Sequence, residues 1–358
     1  MASEFAAGVL SDRQIGALRA AGALTGPAFV DGQVQPASLD LRLGDVAIRV
    51  RASFLPGAGR TLEERLPDFE MHRVALGEGT VLEKGCVYLV PLREGLALPP
   101  GVGAVANAKS STGRLDLLTR TVTDGGTEFD RIAPGYRGPL YAEICPRSFS
   151  VLVRPGMRLN QIRFRAGEAG LDDAGLAALH AETPLVDGTP LIAEGLGFSV
   201  DLRPGAGDLV GWRAKPHSGV IDLDRLGHYA PEDFWEPIRT RGRRIVLDPG
   251  AFYILVSREA VTIPPTHAAE MAPYLAMVGE FRVHYAGFFD PGFGHGTPAR
   301  GVLEVRCHEA PFALEHGQVV GRLVYERMSE VPAALYGQGI ASNYQGQGLK
   351  LSKHFRAP

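Results

Sequence analysis

Apolar and polar positions along the chain alternate in short runs. "CVYLVPL" (Cys86–Leu92) and "AFYILVS" (Ala251–Ser257) are dense in β-branched and aromatic residues, and each runs on to a Pro-Pro pair that ends it. "PLYAEICPRSFSVLVRPGMRLNQIRFRAG" (139–167) reads as two apolar runs around a turn, an Arg-Pro-Gly break, then alternation through Leu159, Gln161 and Arg163. That pattern predicts a meander of short strands. Helical spacing is confined to two stretches. Ser11–Gly22 has Ser at the N-cap and Gly at its end, and Asp172–Glu182 is the second. The spacing therefore predicts a mainly β protein, barrels or jelly rolls with few short helices.

The strand pattern occurs twice. Leu82–Pro100 aligns without gaps on Leu247–Pro265, and Glu143–Phe164 aligns on Glu304–Tyr325. "SLDLRLG" (Ser38–Gly44) is echoed by "SVDLRPG" (Ser199–Gly205). Matched blocks in one order indicate a tandem repeat. The expected division is 1–170 for the first repeat, 190–330 for the second, and 331–358 for a C-terminal tail.

Composition narrows the class. The chain has 358 residues, 45% hydrophobic and 22% charged, which suits two soluble globular domains. No apolar run reaches the ~18 residues of a membrane helix. No basic segment followed by an apolar core opens the chain, so a cytoplasmic protein is expected. A net charge of −3 argues against a nucleic-acid surface, though not against a small phosphorylated ligand. Cys86, Cys145 and Cys307 are odd in number and widely spaced, which supports neither disulfides nor a Cys-based metal site.

One loop carries concentrated chemistry. Lys109, Ser110, Ser111, Thr112, Gly113 and Arg114 place two hydroxyls and two cations within six residues, able to make several charge-assisted hydrogen bonds to phosphate oxygens. The same residues also fit a solvated polar turn. The second repeat has no Ser-Ser and no matching Arg between Pro265 and Asp290, so a repeat folds without this loop. Glu143 and Glu304 each stand among apolar strand residues, where a carboxylate is costly unless paired and where burial suits a proton carrier. Asp290 precedes Pro291-Gly292, which fits turn chemistry as well as a binding role. The matching position in the first repeat is Ala133.

Together these strings resemble the deoxycytidine triphosphate deaminases, relatives of the trimeric deoxyuridine triphosphatases. The resemblance rests on "KSSTGR" (109–114), "RIAPGY" (131–136), Glu143, "RPGM" (Arg154–Met157) and "YGQGIASNYQGQG" (Tyr336–Gly348). "LSDRQI" (Leu10–Ile15) and "PASLDLRLG" (Pro36–Gly44) add to it. It implies two tandem dUTPase-like distorted β-barrels. It also implies triphosphate binding by Lys109, Ser110, Ser111, Thr112, Gly113, Arg114 and Arg131, with Ser110 and Arg114 also serving the chemistry. The strand carboxylate, Glu143 or Glu304, would be the general acid/base. Asp290 would meet the deoxyribose, and Tyr336, Asn343 and Gln347 would close over the phosphates, Asn343 standing where the family has Lys.

Each repeat departs from the family pattern in a different place. The first keeps the Ser-Ser loop and has Ala133; the second keeps Asp290 and lacks the loop. The sequence thus predicts a composite site that joins Ser110, Ser111 and Arg114 to Asp290 and Glu304, with the tail as lid and Glu143 a relic or a structural residue. The implied reaction is hydrolysis of dCTP to dUTP and ammonia, feeding dUMP and thymidylate synthesis. The protein would supply no metal; magnesium would arrive with the triphosphate. Zinc is not implied, since the His-x-Glu and Pro-Cys-x-x-Cys strings of zinc deaminases do not occur. A dUTP diphosphatase, a bifunctional enzyme and a non-catalytic nucleotide-binding paralogue stay open as alternatives. The partners implied are a nucleotide, dCTP or dUTP, and further copies of the chain in a trimeric or pseudo-trimeric assembly, with no nucleic acid or membrane.

Overall fold

The computed structural model describes residues 5–204, 206–272, 281–284, 287–337 and 348–357. Strands dominate, and the described helices are short. The mainly β expectation holds. By packing, the chain forms two units. The first comprises Met1–Ala169 with Val220–Arg225 and Met328–Ala334; the second comprises Gly170–Gly219, Leu226–Arg327 and Leu335–Pro358.

The first unit contains β1 (Ser38–Arg42), β2 (Val46–Val50), β3 (Glu70–Ala75), β4 (Val87–Ala97), β5 (Val102–Ala108), β6 (Leu117–Thr123), β7 (Arg131–Ile132), β8 (Arg137–Pro146) and β9 (Arg158–Ala166). One sheet runs β7-β5-β9-β1 and another runs β6-β8-β4-β2-β3, all antiparallel, with short edge strands added. Helix α1 (Asp12–Ala20) starts at Ser11, whose hydroxyl accepts from Gln14 N while the Gln14 side chain accepts from Ser11 N. Two stretches from late in the chain complete this unit. Ile221 and Asp222 pair in parallel with Val151 and Leu152, and the Arg154 guanidinium holds Asp222 at 2.6 Å. Further on, Ser11 Oγ donates to Glu330, and Asp12 accepts from the backbone N–H groups of Ala333 and Ala334.

The second unit contains β10 (Leu196–Ser199), β11 (Leu209–Ala214), β12 (Trp235–Arg239), β13 (Phe252–Val261), β14 (His267–Met271), β15 (Phe281–His284), β16 (Phe288–Phe289), β17 (Ala299–Cys307) and β18 (Val319–Arg327). Its sheets run β10-β18-β14-β16 and β15-β17-β13-β11-β12, the same orders as in the first unit. Leu196, Phe198, Leu255, Leu303, Leu323 and Tyr325 are among the side chains at its core.

Strand register shows which residues truly correspond. Glu143 lies opposite Leu89, and Glu304 opposite Ile254, as the gapless alignments require. The third echo is out of register. In the first unit the Glu94 carboxylate accepts from Arg42 N at 2.7 Å and from Arg42 Nε at 2.6 Å. In the second unit the Glu259 carboxylate accepts from Ser199 N at 2.7 Å and from Ser199 Oγ at 2.6 Å. Leu43 bridges Leu92 just as Val200 bridges Ser257. Ser199, which the sequence aligns with Ser38, therefore takes the place of Arg42. "SVDLRPG" is a coincidence of composition, displaced four residues from the strand it mimics.

Candidate active site

The Ser-Ser loop forms a single turn of helix, α2 (Ser110–Gly113), between β5 and β6. Lys109 closes it: its carbonyl accepts from Thr112 N at 2.8 Å and from Gly113 N at 2.9 Å. Ser111, Thr112 and Arg114 are buried, Arg114 at 2% exposure, so this is not a solvated surface turn. Lys109 forms an ion pair with Asp40, a buried carboxylate on β1. Arg131 is exposed and pairs with Glu128 at 3.2 Å.

Leaving the loop, β6 runs antiparallel to β8 and sets Arg120 directly opposite Glu143. Both stand on the sheet face that carries Ile48, Leu89, Val122 and Tyr141, covered by Phe54, Leu62 and Leu66. Glu143 is 1% exposed. Arg120 Nε and Nη2 both donate to Glu143 Oε1, at 3.2 and 2.5 Å. The guanidinium is fixed in turn: Nη2 donates to Ser53 Oγ at 3.0 Å, and its carbon lies 3.6 Å from the centre of the Phe129 ring. Glu143 Oε2 is buried and has no hydrogen-bond partner among the described residues. An unmet buried acceptor costs about 1–3 kcal/mol, a cost that is tolerated where the atom serves a ligand.

Sequence reasoning missed Arg120 and Asp130. Asp130 Oδ1 accepts from Thr121 N at 2.7 Å, which holds it next to Arg120. Burial pushes its carboxyl up to about 7, against the pull of the Thr121 N–H and Arg120. A lone Arg in "LLTRTVT" was the available signal, but its partner could be read only with the strand register in hand.

In the second unit Asp290 opens the corresponding hairpin. Phe293 N donates to Asp290 O at 3.0 Å, as Tyr136 N does to Ala133 O at 3.1 Å. Gly292 has φ +94°, and a Cβ there would lie 2.9 Å from Leu335 Cβ and 3.0 Å from Tyr336 N. Tyr336 N donates to Pro291 O at 2.8 Å, and its ring stands 5.6 Å from that of Phe293. Asp290 and Tyr336 are thus brought to one hairpin. Glu304 is 3% exposed, with Ile254 opposite it on one side and His284 on the other. Asn343 and Gln347 lie outside the described residues. The end of the tail is anchored: the Phe355 ring packs against Phe234 and Trp235 at 5.6 and 5.9 Å. Among the described residues no group of three metal-ligating side chains occurs, and no helix is long and apolar enough to cross a membrane.

Comparison with known proteins bears on both units. A family model for the 2′-deoxycytidine 5′-triphosphate deaminase N-terminal domain matches residues 6–168, and one for the C-terminal domain matches residues 172–355. A dCTP deaminase of Halorubrum lacusprofundi is 32% identical over 137 residues, 38% of this chain. The match spans 64% of that relative's own length, just under two thirds. A "dCTP deaminase, dUMP-forming" of Beutenbergia cavernae is 31% identical over 157 residues, 44% of this chain and 78% of that one. A crystal structure of 2′-deoxycytidine 5′-triphosphate deaminase from Agrobacterium tumefaciens superposes with a TM-score of 0.87 at 55% identity, over 90% of this chain and 99% of that one.

Proposed function

Because the chain belongs to the 2′-deoxycytidine 5′-triphosphate deaminase family, we propose that it hydrolyses dCTP to dUTP and ammonia, with Glu143 as the general base. The observation that carries this reading is Glu143 Oε2, a buried carboxylate oxygen without a partner among the described residues, while Arg120 occupies Oε1. Oε2 takes a proton from water as the water oxygen bonds to C4 of the cytosine. The carboxyl passes that proton to ring N3, then takes the second proton from the C4 hydroxyl as the C4 carbonyl forms and hands it to the amino group, which leaves as ammonia. Ser110, Ser111 and Arg114 bind the triphosphate, and magnesium arrives with the nucleotide. The repeats are taken as dUTPase-like barrels, and several chains assemble with threefold or pseudo-threefold symmetry, which sedimentation would measure.

The sequence favoured Glu304 as the base; the unpartnered oxygen favours Glu143. The test is incubation with dCTP and magnesium, with ammonia, dUTP and dUMP measured for the wild type, Glu143→Gln and Glu304→Gln. Loss of ammonia in Glu143→Gln alone supports the assignment; loss in Glu304→Gln alone refutes it. The name of the Beutenbergia relative favours a second reading, in which the triphosphate is also cleaved and dUMP is the product. Pyrophosphate released with ammonia would identify it.

A further inference from the structure

The side chain of Lys109 turns back over the sheet. Lys109 follows directly from β5, Asp40 lies on β1, and β9 runs between those two strands. The Lys109–Asp40 ion pair therefore spans a whole strand. Asp40 is completely buried. Its Oδ2 takes Lys109, and Arg158 Nη1 stands farther off, 3.6 Å from the same oxygen. That Arg158 nitrogen also donates to Gly32 O at 2.8 Å. Asp40 Oδ1 is buried and has no hydrogen-bond partner among the described residues. A carboxylate at this depth is costly without a close cation, and Lys109 supplies it.

The same lysine starts the Ser-Ser turn. Its carbonyl accepts from Thr112 N and Gly113 N, so side chain and backbone fix the turn from two sides. An ammonium already neutralised by a buried carboxylate has little net charge to offer a phosphate.

The second repeat supports the link between acid and loop. Gly197 lies opposite Arg322 as Asp40 lies opposite Gln161, and the gapless alignment places Arg322 at Gln161. Gly197 therefore takes the place of Asp40. The strand forms there without an acid, in the repeat that lacks Ser-Ser. The carboxylate at 40 goes with the loop, not with the strand.

Resting on the reading that Ser110, Ser111 and Arg114 bind the triphosphate, we propose that Asp40 is a positioning residue for that loop, acting through Lys109. The ion pair pins the start of the turn to β1, and Lys109 serves as the pin rather than as a phosphate ligand.

The test is a double-mutant cycle on dCTP hydrolysis with Asp40→Asn, Lys109→Met and the two combined, beside Arg114→Met. Each single variant breaks the same pin. Both should raise KM about tenfold with kcat held within about twofold, and the double variant should be no worse than either. A phosphate-binding Lys109 gives a different result: Lys109→Met alone raises KM, while Asp40→Asn leaves it unchanged or lowers it by freeing the ammonium. That result overturns the inference, as do effects that multiply in the double variant. The salt dependence of KM needs only Lys109→Met, should Asp40→Asn fail to fold. A cation that touches phosphate is screened by salt, so its loss flattens the rise of KM with ionic strength. The pin predicts an unchanged slope, and a flatter one overturns it. A raised KM in Arg114→Met with a wild-type KM in Asp40→Asn overturns this inference alone. An unchanged KM in Arg114→Met overturns the loop reading and this inference with it.

Discussion

Arg120 faces Glu143 across neighbouring strands and takes only one of its two carboxylate oxygens. The pair is therefore built to hold a carboxylate in place without using it up. Glu143→Gln keeps the shape and removes the base, so kcat for dCTP should fall by a factor on the order of 10²–10⁴. Binding of dCTP measured by calorimetry should change much less.

Removing the cation should cost stability as well as activity. Arg120→Met leaves Glu143 buried with no positive partner, a change worth about 3 kcal/mol in comparable buried pairs. Urea unfolding should show the loss. The double variant Arg120→Met/Glu143→Gln should recover much of it, since neither charge is then stranded.

Burial raises the Asp130 carboxyl to about 7, well above its value in an unfolded chain. A folded state that holds its proton more tightly than the unfolded state gains stability at low pH. That gain is complete below about pH 4 and is lost as pH rises through about 7. Asp130→Asn carries no such charge. Its melting temperature relative to wild type should climb across that window and level off above it, as read by scanning calorimetry at pH 4 to 8.

The loop can be tested by affinity. Arg114→Met or Ser111→Ala should raise KM for dCTP while leaving the circular dichroism spectrum intact, and Arg114→Met should have the larger effect because it removes a charge-assisted contact. An unchanged KM in both would remove the loop from the phosphate site.

The displaced echo gives a stability contrast. Glu94 is held by Arg42, both nearly fully buried, whereas Glu259 is held by the Ser199 backbone and hydroxyl. Arg42→Met should destabilise by about 3–5 kcal/mol. Ser199→Ala removes one hydrogen bond to a charged group and should cost about 1.5–3 kcal/mol.

Strands were legible because alternation and β-branched content mark them locally, and the gapless alignments at Glu143 and Glu304 proved true in register. The Ser38–Ser199 match failed because four polar-apolar alternations look alike one turn of the pattern apart; only the carboxylates of Glu94 and Glu259 reveal the true partners. Arg120 and Asp130 escaped notice for a related reason. Each gains its meaning from a residue on another strand, and no local spacing encodes that pairing. Ser110, Ser111 and Arg114 stood out because their types are unusual together in any setting.

Val9 and Val151 pair on one side with Arg165 and Leu82, and on the other with Met328 and Ile221 from much later in the chain. During synthesis, then, the first repeat emerges from the ribosome long before the residues that finish its edges have been translated. Its sheets must wait, with open rims, until residue 334 is released. A nascent chain stalled between the repeats would expose those rims to any other stalled copy, which makes the unfinished first half the stretch most in need of a chaperone.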